Sequence, residues 1–348
     1  MNYRSGVTKL IIGLLIGAAT ALPAGTGHTD DQAALRQVVD THPARAAATW
    51  QALAGKPIKD RILPAPAVLI DYLIADNQYQ GYPDRPRPAV VDSGFLGDIT
   101  GAVAGIAPAV QPHIRDHVVA IFLARDLGST AYGELLRDFD TNKMGFIVLD
   151  VDALNRRAND WITWRERSPF AGSGPPQLTA GIAKQAGDTR AAAIRYILLH
   201  EIGHIVGVAK KAHSSWFDGG DPKDFGFTAI SWVAAADGKG ADSRFDAAFT
   251  QRRRITYYRF KDALLDAAQM VETYRQLAAT DFVSLYAATN MYEDFAETYA
   301  MYVHVVLQGQ SWTVDVHDAN GASVLQLMNP ILETRCRAKK QYLDRWFR

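Results

Sequence analysis

The feature that most constrains the fold is a predominantly apolar stretch from Thr189 to Val208 that carries two histidines and a glutamate. Apolar residues recur along it at intervals of three and four, which predicts one long helix buried inside a domain. Asp188 or Thr189 can cap its N-terminus. Because burying two imidazoles and a carboxylate without partners costs free energy, these polar groups require a ligand or a hydrogen-bonded network.

The polar residues stand in the order His200-Glu201-Ile202-Gly203-His204. Histidines four positions apart lie on one face of a helix, so both imidazoles can bind one metal ion, and Glu201 can act on a water molecule at that metal. This H-E-x-x-H arrangement is typical of zinc-dependent peptidases. We therefore predict His200 and His204 as ligands of Zn²⁺ and Glu201 as a general base. The alternative is a buried helix whose histidines only form hydrogen bonds.

A hydrolytic zinc site needs three protein ligands and an open position for water. In the pattern H-E-x-x-H-x-x-G-x-x-H the third histidine would fall on Lys210, and His213 comes three residues too late. A later predicted helix offers Glu293 and Glu297, which lie four residues apart on one face. We predict Glu293 as the third ligand and Glu297 as the acceptor of the second ring N–H of a metal-bound histidine. The alternative is a surface glutamate pair on a helix capped by Asn290.

The H-E-x-x-H helix is followed downstream by the segment Tyr286-x-x-x-Asn290-x-x-Glu293-x-Phe295-Ala296-Glu297. Over roughly residues 190 to 305, the two motifs together resemble the catalytic core of gluzincin metallopeptidases of the anthrax lethal factor type. The resemblance implies a zincin-like fold and a tyrosine, Tyr286, that assists catalysis; packing is the alternative role for this residue. The stretch between the motifs is considerably longer here, and no receptor-binding or translocation part of the toxin is seen. The resemblance therefore implies the catalytic fold and not the biology of the toxin.

Charge and composition limit the class of partner. Lysine plus arginine and aspartate plus glutamate each number 37, and the chain has no extended basic patch. We therefore expect no nucleic-acid partner, and a peptide or protein as the substrate. The lone Cys336 excludes an internal disulfide, and no feature fixes the oligomeric state. The 348 residues, 48% of them hydrophobic, suffice for one large domain or two.

The first 24 residues have the composition of a secretory signal peptide. Basic Arg4 and Lys9 precede an apolar run of about 13 residues, and small residues follow, so cleavage is expected after Ala21 or Ala24. The run is short for a membrane span, so we expect no stable span after cleavage; a retained anchor is the alternative. The sequence thus predicts a secreted or periplasmic bacterial protein.

The order of the predicted elements indicates an α+β protein, mostly helical, with a small twisted sheet before the metal-binding helix. Residues 25–92 are expected to form an N-terminal helical region whose role (propeptide, cleft cover or docking surface) stays open. Residues 93–348 are expected to form a zincin-like catalytic domain with its two ligand helices at 189–208 and 290–307. Other predicted elements are strands at 117–124, 145–151 and 160–167, a loop at 172–181 and a helix at 260–280. Residues 160–166 would be the sheet edge that pairs with an extended substrate.

The predicted function is a secreted zinc-dependent endopeptidase that hydrolyses peptide bonds with a metal-activated water. Two further functions stay open, namely a catalytically silent zincin-like module that binds peptide or cell-wall material, and a non-peptidase zinc hydrolase. The long segment between the motifs is rich in aromatic residues that either line a substrate groove or pack this segment onto the body, namely Trp216, Phe217, Phe225, Phe227 and Trp232.

Overall fold

The computed structural model describes residues 27–138, 143–238, 240–257 and 263–347, with side chains from residue 32 onward. The predicted signal peptide lies outside these residues. The α-helices are α1 Gly27–Thr41, α2 Ala67–Tyr79, α3 Ser93–Ala104, α4 Gln111–His117, α5 Ala158–Arg167, α6 Arg190–Ala209, α7 Thr228–Ser231, α8 Met270–Ala278, α9 Met291–Met301 and α10 Arg337–Asp344. The strands are β1 Ile62–Pro64, β2 Arg87–Pro88, β3 Val118–Arg125, β4 Ala131–Leu135, β5 Gly145–Asp150, β6 Phe170–Ala171, β7 Gln177–Gly181, β8 Trp232–Ala234, β9 Ala241–Ser243, β10 Leu265–Asp266, β11 Thr313–His317 and β12 Ser323–Met328. The α+β class is therefore confirmed.

The main sheet contains β1 to β5, which all precede α6 in the chain. Strands β1, β3 and β5 are parallel, and β4 pairs antiparallel with β5 at one edge of the sheet. Strands β3 and β5 are apolar and buried almost throughout, as is usual for strands that are covered on both faces. They correspond to the strands predicted at 117–124 and 145–151.

Different parts of the chain cover the two faces of this sheet. On one face, Ile147 joins a large core that includes α3 and α6. On the other face, Phe122 and Phe146 pack with Trp50 and Tyr72 from the N-terminal region. The described part of the predicted N-terminal region thus contributes β1 and β2 to the sheet and shares a core with it.

The strand predicted at 160–167, with its substrate-pairing edge at 160–166, is wrong, because Ala158–Arg167 forms helix α5. Trp161, Ile162 and Arg165 are buried at the spacing of a helical face. The buried charges of Arg165 and Glu166 conceal this period, because charged residues ordinarily indicate an exposed position.

Two other predictions need correction. The loop predicted at 172–181 is wrong in its second half, where β7 pairs antiparallel with β11. The helix predicted at 260–280 is shorter than expected: α8 occupies Met270–Ala278, β10 precedes it, and residues 258–262 lie outside the described residues.

The two helices that carry the His-Glu and Glu-Glu motifs, α6 and α9, pack closely together. A Cβ placed on Gly203 of α6 would lie 3.0 Å from the Cα of Ala296 in α9. Only a residue without a side chain permits this approach, which brings the polar faces of both helices to one place. Thr189 caps α6 and Asn290 caps α9, each accepting a backbone N–H with its side-chain oxygen.

By length and composition alone, α6 is apolar enough to cross a membrane, but 78% of the tested window is buried inside the protein. The bent pair Ser93–Ala104 and Pro108–His117 passes the same test when taken together. The burial of α6 is that of a core helix.

Candidate metal centre

Three side chains from α6 and α9 bring one ligand atom each to a common point. The Nε2 atoms of His200 and His204 are 3.0 Å apart, and Oε2 of Glu293 lies 3.1 Å from the first and 3.4 Å from the second. All three side chains are buried. This group could hold a metal ion.

The number, chemistry and spacing of the donor atoms fit zinc. Zinc–nitrogen and zinc–oxygen distances of about 2.0–2.2 Å in a tetrahedral site place neighbouring ligand atoms about 3.3–3.5 Å apart. The three observed separations, 3.0, 3.1 and 3.4 Å, are close to that value. Two histidines and one glutamate are also the ligand set of one class of catalytic zinc sites, which leave a fourth position for water.

The electrostatics of the cluster favour a positive charge. Burial by itself would lower the pKa of His200, but Glu293 and Glu297 outweigh burial and raise that pKa to about 10. Burial would raise the pKa of Glu293, but the two histidines lower it to about 2. Burial lowers the pKa of His204 to about 4, so this imidazole is neutral, the form that binds metals. Carboxylates that stabilise a proton on His200 would equally stabilise a cation bound there.

Glu297 orients the first histidine. Nδ1 of His200 donates a hydrogen bond to Oε1 of Glu297 at 2.9 Å, which leaves Nε2 directed at the other ligand atoms. The hydroxyl of Ser284 donates to Oε2 of the same carboxylate at 2.9 Å. Glu293 is 3% exposed and Glu297 fully buried, which excludes a surface glutamate pair, although Asn290 does cap the helix.

Glu201 lies beside the edge strand β4. Its side chain is buried, and Oε2 has no hydrogen-bond partner among the described residues. A Cβ added to Gly133 of β4 would lie 2.9 Å from this oxygen, so glycine leaves room for the carboxylate. Burial raises the pKa of Glu201 to about 7, which suits a group that exchanges protons near neutral pH.

For the peptide hydrolysis predicted from the sequence, we expect Gly133→Ala to lower kcat/KM by about tenfold to a hundredfold, because the new methyl group would displace the Glu201 carboxylate and small displacements of a catalytic group are costly. Metal content should not change. Gly101→Ala is the matched control, because a Cβ at this exposed position meets no atom within 4 Å. Steady-state kinetics and metal analysis of both variants test the expectation; equal activities would contradict it.

Tyr286 lies against the cluster. Its ring centre is 5.5 Å from that of His200 and 4.7 Å from that of Tyr257, and its side chain is buried. Lys210 and His213, which the motif spacing excludes as third ligands, lie outside the cluster. The ammonium of Lys210 lies over the ring of Trp346, and Nδ1 of His213 is hydrogen-bonded to the carbonyl of Ser214.

The aromatic residues of the segment between the motifs fall into two groups. The ring of Trp216 meets that of His204 edge-on at 6.2 Å, and Phe217 lies under the guanidinium of Arg45 at 3.6 Å. Both aromatic residues line a cavity of about 320 Å³ together with three residues of β4, namely Tyr132, Gly133 and Glu134.

Phe227 and Trp232 instead pack in the core, where Nε1 of Trp232 donates to Asp294. Phe225 is partly buried, with its ring beside Gly220. Trp216 and Phe217 thus line a cavity, whereas Phe227 and Trp232 pack the segment onto the body.

The sequence did not reveal three further members of the site, namely Arg165, Glu166 and Tyr274, which form a buried hydrogen-bonded chain behind Glu297. One signal was available in the segment WITWRER. With a helical period, Arg165 and Glu166 fall on the same face as the apolar residues Trp161 and Ile162, which indicates a buried pair of opposite charges.

Comparisons of the chain with protein-family models, with curated proteins and with solved structures find no match.

Proposed function

We propose that this protein is a zinc-dependent endopeptidase of the gluzincin type, exported by its N-terminal signal sequence. The observation that carries the proposal is the convergence of His200, His204 and Glu293, with Glu201 beside them and an antiparallel strand at the adjacent sheet edge. The two sequence motifs and the position of the sheet before α6 support the same assignment.

His200, His204 and Glu293 would hold the metal. When bound, zinc would act as a Lewis acid that lowers the pKa of a water molecule towards neutrality and polarises the scissile carbonyl. The hydrogen bond from His200 to Glu297 fixes the ring tautomer in which Nε2 is free to bind the metal.

Glu201 supplies the proton transfers. Its carboxylate takes a proton from the attacking water as the oxygen–carbon bond forms, and gives that proton to the amide nitrogen as the carbon–nitrogen bond breaks. Burial raises the pKa of this carboxylate to about 7 in spite of a hydrogen bond from the backbone N–H of Gly133, and so keeps it basic enough for the first step. We assign Tyr286 a supporting role, donating its hydroxyl to the carbonyl oxygen as negative charge develops there.

Strand β4 is the proposed binding edge for an extended peptide, in place of the segment predicted from the sequence. The backbone N–H of Asp150 donates to the carbonyl of Thr130, and the backbone N–H of Leu136 donates to the carbonyl of Met144. The even-numbered residues along β4 therefore form the hydrogen bonds to β5. In an antiparallel ladder the alternate residues direct their backbone groups away from the partner strand. Gly133 is one of them, and its backbone N–H donates to the Glu201 carboxylate, so a peptide added along this edge would lie beside the proposed general base.

A catalytically silent binding module with the same zincin-like architecture is the second candidate. One observation favours it: His200, Glu201, His204 and Glu293 are all at most 4% exposed. A peptide reaching these groups would require movement of Trp216, which lies against His204.

One experiment distinguishes these functions. We expect purified protein to contain stoichiometric zinc and to cleave members of a peptide library. Cleavage should stop after treatment with a chelator and return when zinc is added back. Zinc without cleavage would favour the silent module or a non-peptidase hydrolase, and protein that binds no zinc would overturn the proposal.

A further inference from the structure

A buried ionic network extends from the metal centre into α5. The Nη1 atom of Arg165 donates to Oε1 of Glu297 and Nη2 donates to Oε2, both at 2.8 Å. Two parallel bonds of this kind fix the plane of a carboxylate as well as its position. Arg165 also donates from Nε and Nη2 to Oε1 of Glu166, at 3.1 and 3.0 Å, and Tyr274 donates to Oε2 of Glu166 at 2.9 Å.

The network is isolated from solvent, and its charges do not cancel. Arg165 is 2% exposed, and Glu166 and Glu297 are fully buried. One guanidinium faces two carboxylates, so one negative charge remains in excess. Outside the network, Glu297 contacts the Nδ1–H of His200 and the hydroxyl of Ser284. The guanidinium also lies 5.4 Å from the ring centre of Tyr286. The same group therefore contacts both Glu297, which orients His200, and the proposed catalytic tyrosine.

We infer that Arg165 is a positioning residue for the metal centre, a role that rests on the proposed function. Its two-pronged contact holds the Glu297 carboxylate in the plane from which Oε1 meets His200, and His200 in turn presents Nε2 to His204 and Glu293. Without the guanidinium, the Ser284 hydroxyl alone would remain to orient Glu297 from the other side.

Lysine cannot replace arginine in this role. A lysine ammonium is a point charge on a flexible stem, whereas the guanidinium presents a rigid planar fork that matches both carboxylate oxygens. Arg165→Lys therefore keeps the buried positive charge and removes the orientation of Glu297, which separates positioning from charge balance.

Lys339 of α10 is a second buried cation that pairs with a carboxylate of α9, and it provides a matched control. The ammonium of Lys339 is fully buried and lies 2.6 and 2.8 Å from the oxygens of Asp294 in α9 and 3.1 Å from Asp281. Neither carboxylate belongs to the metal-ligand group. Lys339→Met should thus weaken the fold without altering the ligand geometry.

The experiment compares the wild type with Arg165→Lys, Arg165→Met and Lys339→Met. The zinc Kd comes from competition with a chromophoric chelator, the ligand geometry from the visible absorption of Co²⁺-loaded protein, and the stability from urea unfolding of metal-free protein. We expect Arg165→Lys to weaken zinc binding by about tenfold to a hundredfold and to change the Co²⁺ spectrum. Lys339→Met should lower the unfolding midpoint and keep the wild-type Kd and spectrum.

The outcomes separate the inference from the proposed function. Wild-type Kd and spectrum in Arg165→Lys would overturn the positioning role, as would equal losses of zinc affinity in Arg165→Lys and Lys339→Met. If Arg165→Met fails to fold, Arg165→Lys decides the matter. Wild-type protein that binds zinc but cleaves no peptide would overturn the peptidase and leave the positioning role to be judged on metal binding. Wild-type protein that binds no zinc would overturn both.

Discussion

Glu201→Gln protein should fold and bind zinc like the wild type and cleave peptides at least about a hundredfold more slowly. The amide has the size of the carboxylate but cannot accept a proton from the attacking water. The wild-type carboxylate oxygen Oε2 has no hydrogen-bond partner among the described residues, so the substitution breaks no side-chain bond of that atom. Initial rates with a peptide identified by library cleavage, alongside metal analysis of the same sample, measure the effect.

The control for this substitution is Glu272→Gln, which makes the same chemical change on the exposed face of α8. It should keep wild-type activity. Full activity in Glu201→Gln would eliminate this residue as the general base. Loss of zinc together with activity would instead show that Glu201 contributes to metal binding.

Glu293→Ala should abolish stoichiometric zinc binding and, with it, all chelator-sensitive cleavage. Removing this carboxylate leaves two ligand atoms instead of three and takes away the negative charge closest to both Nε2 atoms. In the wild type, zinc at a thousandfold excess over its Kd should stabilise the fold by about 4 kcal/mol. The variant should show no such gain.

Thermal unfolding with and without zinc, and metal content after dialysis, test this expectation. Glu272→Ala serves as the control because its carboxylate is exposed and distant in sequence from the ligands. Unchanged zinc content in Glu293→Ala would move the third ligand elsewhere, whereas a protein that no longer folds would be recognised from its far-ultraviolet circular dichroism.

The parts of the site that the sequence predicts are those governed by local periodicity. Two histidines four residues apart, and two glutamates four residues apart, lie on one face of any helix. The spacing alone therefore predicts that each pair projects from one face of its helix, α6 or α9. The close packing of the two helices depends on Gly203, which lies opposite Ala296. The sequence does not predict this contact, because it does not show which residue faces the glycine.

The parts that the sequence does not predict depend on long-range pairing. Arg165 is 132 residues from Glu297, and its charge is tolerated in the interior only because that carboxylate is there. Without the partner in view, the segment around Arg165 has the pattern of an edge strand. Strand β4 is short and contains Gly133 and Glu134, so its strand character comes from its ladder with β5 and not from its composition.

The aromatic core shared by the N-terminal region and the sheet bears on whether the N-terminal region can be a removable propeptide. Proteolytic removal of the residues before position 93 would take away β1, β2 and Trp50 and Tyr72, and would expose the rings of Phe122 and Phe146 to water. Such a cut would leave an uncovered apolar sheet face that favours aggregation. We therefore expect residues 32–92 to stay with the folded protein and not to be released as a prosegment.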